Sequence, residues 1–293
     1  MRSALSETDG IIRVGIVGAG QMGAGIAEVC ARHGLDVVLC DTDLGRTDAG
    51  RARIESSLAR AAKAGKIAED ERAATLRRLT YTCDLADFAD RQVVVEAVVE
   101  SEAVKLEVFG ALDKVVEDPA AILASNTSSI PIMKLAMATS RPAQVVGIHF
   151  FNPVPVLHLV ELIPSLLTGD DTAARAEAWA ASLGKTVVRA QDRAGFVVNA
   201  LLIPYLLSAI RMFESGFASA ADIDNGMVLG CAHPMGPLKL TDLIGLDTTM
   251  AIAESMHAEF KEALYSPPPL LRRMVEAGLL GKKTGRGFYE YAK

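Results

Sequence analysis

At 293 residues the chain has room for one large domain or two ordinary ones, and with half its residues hydrophobic and 23% charged it can bury a sizeable core. A net charge of −6, with no long run of one sign, argues against a general nucleic-acid binder. The four cysteines stand far apart without a C-x-x-C pair; they suit a reducing compartment and supply neither a disulfide framework nor a zinc site.

The chain opens on MRSALSETDG, which is polar and lacks an apolar segment, so no signal peptide is read there and a cytoplasmic place is expected. Strand-like β-branched runs follow at 12–17, 36–40, 79–83, 92–98, 120–125, 144–150, 156–162 and 185–190. Helical patterns fall between most of them, at 21–33, 45–64, 102–117 and 171–183. This alternation predicts βαβ units and a doubly wound, mainly parallel sheet. The last strands follow one another closely, which predicts antiparallel pairs at that end. The gap between the second and fourth strands exceeds what one crossover needs, and the patterns at 45–64 and 69–78 predict an inserted helix pair there. From about residue 195 strand signals vanish. The division therefore falls at Asp192-Arg193, between an α/β domain over 1–192 and an all-helical C-terminal domain over 193–293. The apolar stretch FVVNALLIPYLLSAI (196–210) is too short to span a membrane and reads as a buried helix.

Gly18-Ala19-Gly20-Gln21-Met22-Gly23 fits G-x-G-x-x-G. Alone the string is weak, and a structural turn is its bland alternative. Here it directly follows a strand and opens a helix, and the second strand ends in Asp41. Glycines permit the tight turn and a close approach of backbone to a pyrophosphate, whose charge sits at the helix N-terminus. Asp41 stands where an acidic residue accepts hydrogen bonds from the adenosine ribose, and it repels the extra phosphate of NADP. The first domain is thus expected to be Rossmann-type, with NAD as cofactor.

GIHFFNPVPVLHLVELI (147–163) places His149 and Glu161 inside apolar runs, where an unpaired polar group costs on the order of 2–7 kcal/mol. An antiparallel hairpin centred on Pro155 sets His149 opposite Glu161. A carboxylate there fixes the imidazole tautomer, raises its basicity and stabilises the imidazolium, as a general base requires. The bland alternative is a satisfied core histidine. His158 has the opposite strand parity and reads as structural. After the fifth strand, Ser125-Asn126-Thr127-Ser128-Ser129 offers one group to cap the next helix and others to reach a nicotinamide or an alkoxide.

Taken together, GIVGAGQMGAGIAEVCARHG, VVEAVVE, LASNTSS, GIHFFNPVPVLHLVELI, DRAGFVVNALLIPYL, HPMGPLKLTDLIGLD and GKKTGRGFYEY resemble, in order and over nearly the whole chain, the L-3-hydroxyacyl-CoA dehydrogenase family. The resemblance implies reversible, NAD-dependent oxidation of an (S)-3-hydroxyacyl-CoA to the 3-oxoacyl-CoA. Its stand-alone bacterial branch points to a short-chain ester, 3-hydroxybutyryl-CoA. It further implies His149 as catalytic base, Glu161 as its partner, and Ser128 and Asn199 as groups on the substrate oxygen, with the site closing between the domains. Contacts to NAD would come from the glycine loop, Asp41, Glu100, Lys105, Asn126, Asn152 and Lys283. Contacts to CoA would lie on the inserted helix pair, at Ser57 and Lys63, although Ala64 stands where the family pattern carries a basic residue. Arg46, Arg51, Arg53, Arg60, Lys63 and Lys66 make this helix basic in an acidic protein, and most of them read as a solvated face. A homodimer through the helical domain is also implied, with no nucleic-acid or membrane partner.

Two other readings stay open at this level. One keeps the fold but takes a hydroxyacyl group on an acyl-carrier protein, with free CoA esters left untouched. The other is a crystallin-like NAD-binding relative without turnover, against which the complete Ser128, His149, Glu161 and Asn199 set argues.

Overall fold

In the computed structural model, which describes residues 10–291, the β-branched runs become eight strands of one sheet. They are β1 (Arg13–Val17), β2 (Asp36–Cys40), β3 (Leu79–Thr82), β4 (Val93–Glu96), β5 (Ile122–Ser125), β6 (Val145–Phe150), β7 (Leu159–Pro164) and β8 (Thr186–Arg189). Their order across the sheet is β3-β2-β1-β4-β5-β6-β7-β8. The reading of no signal peptide rests mostly on residues 1–9, which lie outside the described residues. The chain divides into two units, 1–192 and 193–293.

In the first unit α1 (Gln21–Arg32), α4 (Glu102–Val115), α5 (Ile132–Ala136) and α6 (Asp170–Ser182) connect strands. The inserted pair is α2 (Leu44–Lys63) and α3 (Glu69–Arg77), and it leads into edge strand β3. The central strands are apolar on both faces, Val93, Val94 and Val95 of β4 being wholly buried, because helices cover the sheet on each side. One expectation about the sheet needs correction. β6 and β7 are antiparallel, but β7 and β8 are parallel. Helix α6 lies between them in sequence and returns the chain to the same end, as a crossover must. The strand expected at 156–162 also starts later, at Leu159, after a turn with a cis Asn152–Pro153 bond.

The second unit contains α7 (Val198–Glu214), α8 (Ala220–Gly230), α9 (Pro237–Ile244), α10 (Leu246–Phe260) and α11 (Pro269–Glu276). Asn199, Ile203, Leu206, Leu207 and Ile210 form the buried stripe of α7 at helical spacing. Of these, Ile203, Leu207 and Ile210 pack with Leu246, Met256 and Leu271 in a core of the unit's own. Two buried aspartates tie the segment after α11 to this core. Asp242 accepts hydrogen bonds from the Phe288 and Tyr289 N–H groups and from the Tyr291 hydroxyl, each at 2.9 Å, and Asp224 accepts one from the Tyr289 hydroxyl at 2.8 Å. Among the described residues no helix is long and apolar enough to cross a membrane.

Candidate active site

Strands β6 and β7 pair in the register centred on Pro155, so His149 faces Glu161. Both side chains are buried, and His149 Nδ1 lies 2.8 Å from Glu161 Oε2. A carboxylate only accepts, so Nδ1 carries the hydrogen and Nε2 keeps its lone pair. That nitrogen lies 3.0 Å from Ser128 Oγ, whose hydroxyl donates to it. His158 points elsewhere: it is exposed, with Nδ1 3.4 Å from the Gly184 carbonyl.

Ser128 is held by the loop it sits in. Glu100 Oε1 accepts from the Ser128 and Ser129 N–H groups, at 3.0 and 3.1 Å, and from the hydroxyls of Thr127 and Ser129. Burial acts to raise the Glu100 carboxyl, but the Lys105 ammonium and these hydrogen bonds outweigh it and hold the group below its ordinary range. Asn126 Oδ1 accepts from the Phe150 N–H at 2.8 Å, which ties the loop to β6 beside His149. The serine-rich loop does not cap the next helix, contrary to expectation. The α5 donors Ile132 N–H and Met133 N–H go to the Asp192 carboxylate, at 2.7 and 2.8 Å.

Lys105 is placed differently from a group in open contact with a cofactor. It is 1% exposed, and its ammonium lies 2.6 Å from Glu96 and 3.3 Å from Glu100. Glu96, fully buried at the end of β4, also accepts from Ser125 Oγ at 2.7 Å and is the residue that sequence reasoning missed. Its signal was available, since a glutamate inside VVVEAV is the same anomaly as Glu161 in its apolar run.

On the cofactor side the three loop glycines have different reasons. Gly18 has φ +102°, and a Cβ on it would stand 2.5 Å from the Ala97 carbonyl. A Cβ on Gly23 would stand 1.7 Å from the Gly18 carbonyl. A Cβ on Gly20 would meet nothing within 4 Å, and no side chain caps the α1 N-terminus that Gly20 begins. Bare backbone donors facing open space fit a pyrophosphate. Asp41 Oδ2 accepts from the Ala19 N–H at 2.7 Å, which orients the carboxylate beside that loop. Gln21 and Asn152 are bonded to each other, Nε2 to Oδ1 at 3.0 Å. The turn carrying Asn152 is clamped by Lys185, whose ammonium donates to the Val154 and Leu157 carbonyls.

Ser57 and Lys63 share α2 but line two different cavities. Asn199 and Lys283 belong to the helical unit. Asn199 is buried in the first turn of α7, and Lys283 is paired with Asp247 at 2.5 Å.

Two family models match the chain. The 3-hydroxyacyl-CoA dehydrogenase NAD binding domain covers residues 13–193, and the C-terminal domain of the same name covers 195–291. A 3-hydroxybutyryl-CoA dehydrogenase of Mycobacterium tuberculosis is 62% identical over 285 residues, 97% of this chain and 100% of the relative. The mitochondrial hydroxyacyl-coenzyme A dehydrogenase of Sus scrofa is 42% identical over 286 residues, 95% of this chain and 90% of that one. The crystal structure of M. tuberculosis FadB2 superposes with a TM-score of 0.95 at 63% identity, covering 96% of this chain and 99% of that one. That of (S)-3-hydroxybutyryl-CoA dehydrogenase PaaH1 from Ralstonia eutropha gives 0.92 at 46%, covering 97% and 100%.

Proposed function

The chain belongs to the 3-hydroxyacyl-CoA dehydrogenase family, and from that premise we propose a short-chain substrate, 3-hydroxybutyryl-CoA, and a role for each site residue. The protein is an NAD-dependent oxidoreductase that interconverts (S)-3-hydroxyacyl-CoA and 3-oxoacyl-CoA. The observation that carries the residue roles is the hydrogen-bonded line Ser128 Oγ, His149, Glu161, with contacts of 3.0 and 2.8 Å.

In the oxidative direction His149 Nε2 takes the proton of the 3-hydroxyl. Bound NAD would supply the hydride acceptor for C3. Glu161 keeps the tautomer in which Nε2 is free and balances the imidazolium once the proton has moved. Ser128 donates a hydrogen bond to the substrate oxygen as that oxygen gains alkoxide character, and Asn199 is the helical unit's candidate for a second one. Gly18, Gly20, Gln21, Met22 and Gly23 hold the pyrophosphate and Asp41 the ribose. Asn126, Asn152, Glu100 and, through Glu100, Lys105 shape the nicotinamide side, while Lys283 is the candidate contact from the helical unit. Ser57 and Lys63 stand as the family's CoA contacts.

The short-chain reading is checked by following NADH oxidation with acetoacetyl-CoA and then with longer 3-oxoacyl-CoAs. The expected result is a kcat/KM that falls as the chain lengthens. A kcat/KM that rises with length overturns it.

A homodimer through the helical unit belongs to the same proposal. Leu201, Phe217, Leu229 and Leu243 there are 74%, 79%, 82% and 51% exposed, apolar surface that a second copy of the unit could cover. Light scattering on the eluting protein should give twice the 31.0 kDa chain mass, and Leu201→Glu with Leu229→Glu should halve it. A wild-type monomer removes the dimer. A cytoplasmic place goes with the four free thiols, two of them exposed, which persist where the medium is reducing.

A further inference from the structure

Glu96 is a wholly buried carboxylate to which proton transfer and hydride transfer assign no part. It ends β4 with both oxygens engaged. Oε1 takes the Lys105 ammonium at 2.6 Å and the Val98 N–H at 2.7 Å, and Oε2 takes the Ser125 hydroxyl at 2.7 Å. As a mere tie between β4 and α4 the Glu96–Lys105 pair is a poor choice. Burying an ammonium and a carboxylate costs desolvation that their attraction barely offsets, and apolar side chains of similar volume would hold the two elements as well. What apolar side chains cannot do is fix the direction of further polar groups.

Two such groups lead from Glu96 to the serine loop. Ser125 Oγ, held by Glu96, accepts the Thr127 N–H at 3.2 Å. Lys105, equally buried and held by Glu96, reaches Glu100 Oε2 at 3.3 Å. The Glu100 side chain is 40% exposed, and a glutamate so placed ordinarily samples several rotamers. Here its Oε1 must stay at one point to receive Thr127, Ser128 and Ser129 together. A fixed ammonium behind it selects the rotamer that does so. The backbone is thus held before Ser128 through Ser125, and at Ser128 itself through Glu100. In that arrangement Ser128 Oγ stands 3.0 Å from His149 Nε2.

We propose that Glu96 is a positioning residue of the reaction: through Ser125, and through Lys105 and Glu100, it fixes Ser128 on the line to His149 without itself touching substrate or coenzyme. The proposal rests on the role given to Ser128 above, and the test separates the two.

The full-length enzyme is followed through a single turnover of NADH at saturating acetoacetyl-CoA, so that the rate reports the chemical step. Ser128→Ala should lower this rate about 10²-fold, the worth of one donor on a developing oxyanion. Glu96→Gln keeps the volume and one acceptor, but it loosens the hold on Lys105 and presents a donor in place of the second oxygen. It should lower the rate about tenfold, as a displacement of Ser128 by less than an ångström would, with KM for acetoacetyl-CoA within about threefold of wild type. In the Ser128→Ala background the same change should cost less than about twofold, since nothing is left to position. Ser125→Ala leaves the buried ion pair intact and opens one of the two routes. It should cost about threefold, again only while Ser128 is present, and it carries the test if the glutamine variant does not fold. The proposal is overturned if Glu96→Gln costs as much without Ser128 as with it, if its loss falls on KM alone, or if Ser125→Ala turns over at the wild-type rate. Ser128→Ala at the wild-type rate removes the role of Ser128 and this proposal with it. An impaired Ser128→Ala with additive losses removes this proposal alone.

Discussion

His149→Gln should lower kcat for acetoacetyl-CoA reduction by roughly 10²–10⁴-fold, the usual worth of a positioned acid or base. Glutamine is close in length and can still bond to Ser128 or Glu161, but it cannot exchange a proton at neutral pH. The loss therefore isolates proton transfer from packing. NADH binding, followed by its fluorescence, should stay near the wild-type value, because the glycine loop lies at the β1–α1 turn and Asp41 just after β2, away from His149 on β6. Turnover within a few-fold of wild type would take His149 out of the mechanism.

The second large effect concerns stability. Asp242→Ala strips the acceptor from two backbone N–H groups and from the Tyr291 hydroxyl. Unfilled buried donors of this kind cost about 1–3 kcal/mol each before relaxation, so a net loss of about 2–4 kcal/mol is expected in urea unfolding of the helical unit. Relaxation is limited because the surrounding backbone already touches this residue. A Cβ on Gly281 would stand 2.3 Å from the Asp242 carbonyl, and one on Gly287 2.0 Å from its Oδ1. Asp242→Asn should cost less. Burial and the neighbouring Asp224 charge both raise the Asp242 carboxyl, so losing the charge offsets part of the lost acceptor strength. An alanine variant within 0.5 kcal/mol of wild type, the range of an ordinary surface change, would show that the C-terminal segment is not anchored there.

The same residues show why parts of the molecule were readable from sequence. All eight strands were visible because each is a short run of strand-forming residues bounded by turn or helix signals, and this holds even for the edge strands β3 and β8, which are only partly buried. The facing of His149 and Glu161 followed from period-two alternation about one turn. The direction of β8 did not, because chain sense depends on what the intervening helix does and not on the strand's composition. Motif reading found Asn126 and Ser128, but not that Glu100 organises their loop, since four donors converging on one oxygen are a property of three dimensions. Asp192 capping α5 across 60 positions was hidden for the same reason. That Ser57 and Lys63 line two different cavities was hidden in the same way, because it depends on how α1 and α3 pack against α2.

The β6–β7 pairing also bears on how the molecule assembles. The His149–Glu161 contact closes 12 positions of chain, whereas Gln21–Asn152 on the cofactor side closes 131. Loop-closure entropy grows as the logarithm of that span, so the second contact costs about 2 kcal/mol more to form from an open chain. The proton-transfer pair is thus a local product of one hairpin. The dinucleotide site depends on bringing distant parts of the first unit together. A lesion that loosens long-range order in the sheet should therefore be felt in coenzyme affinity before it disturbs the geometry of the base.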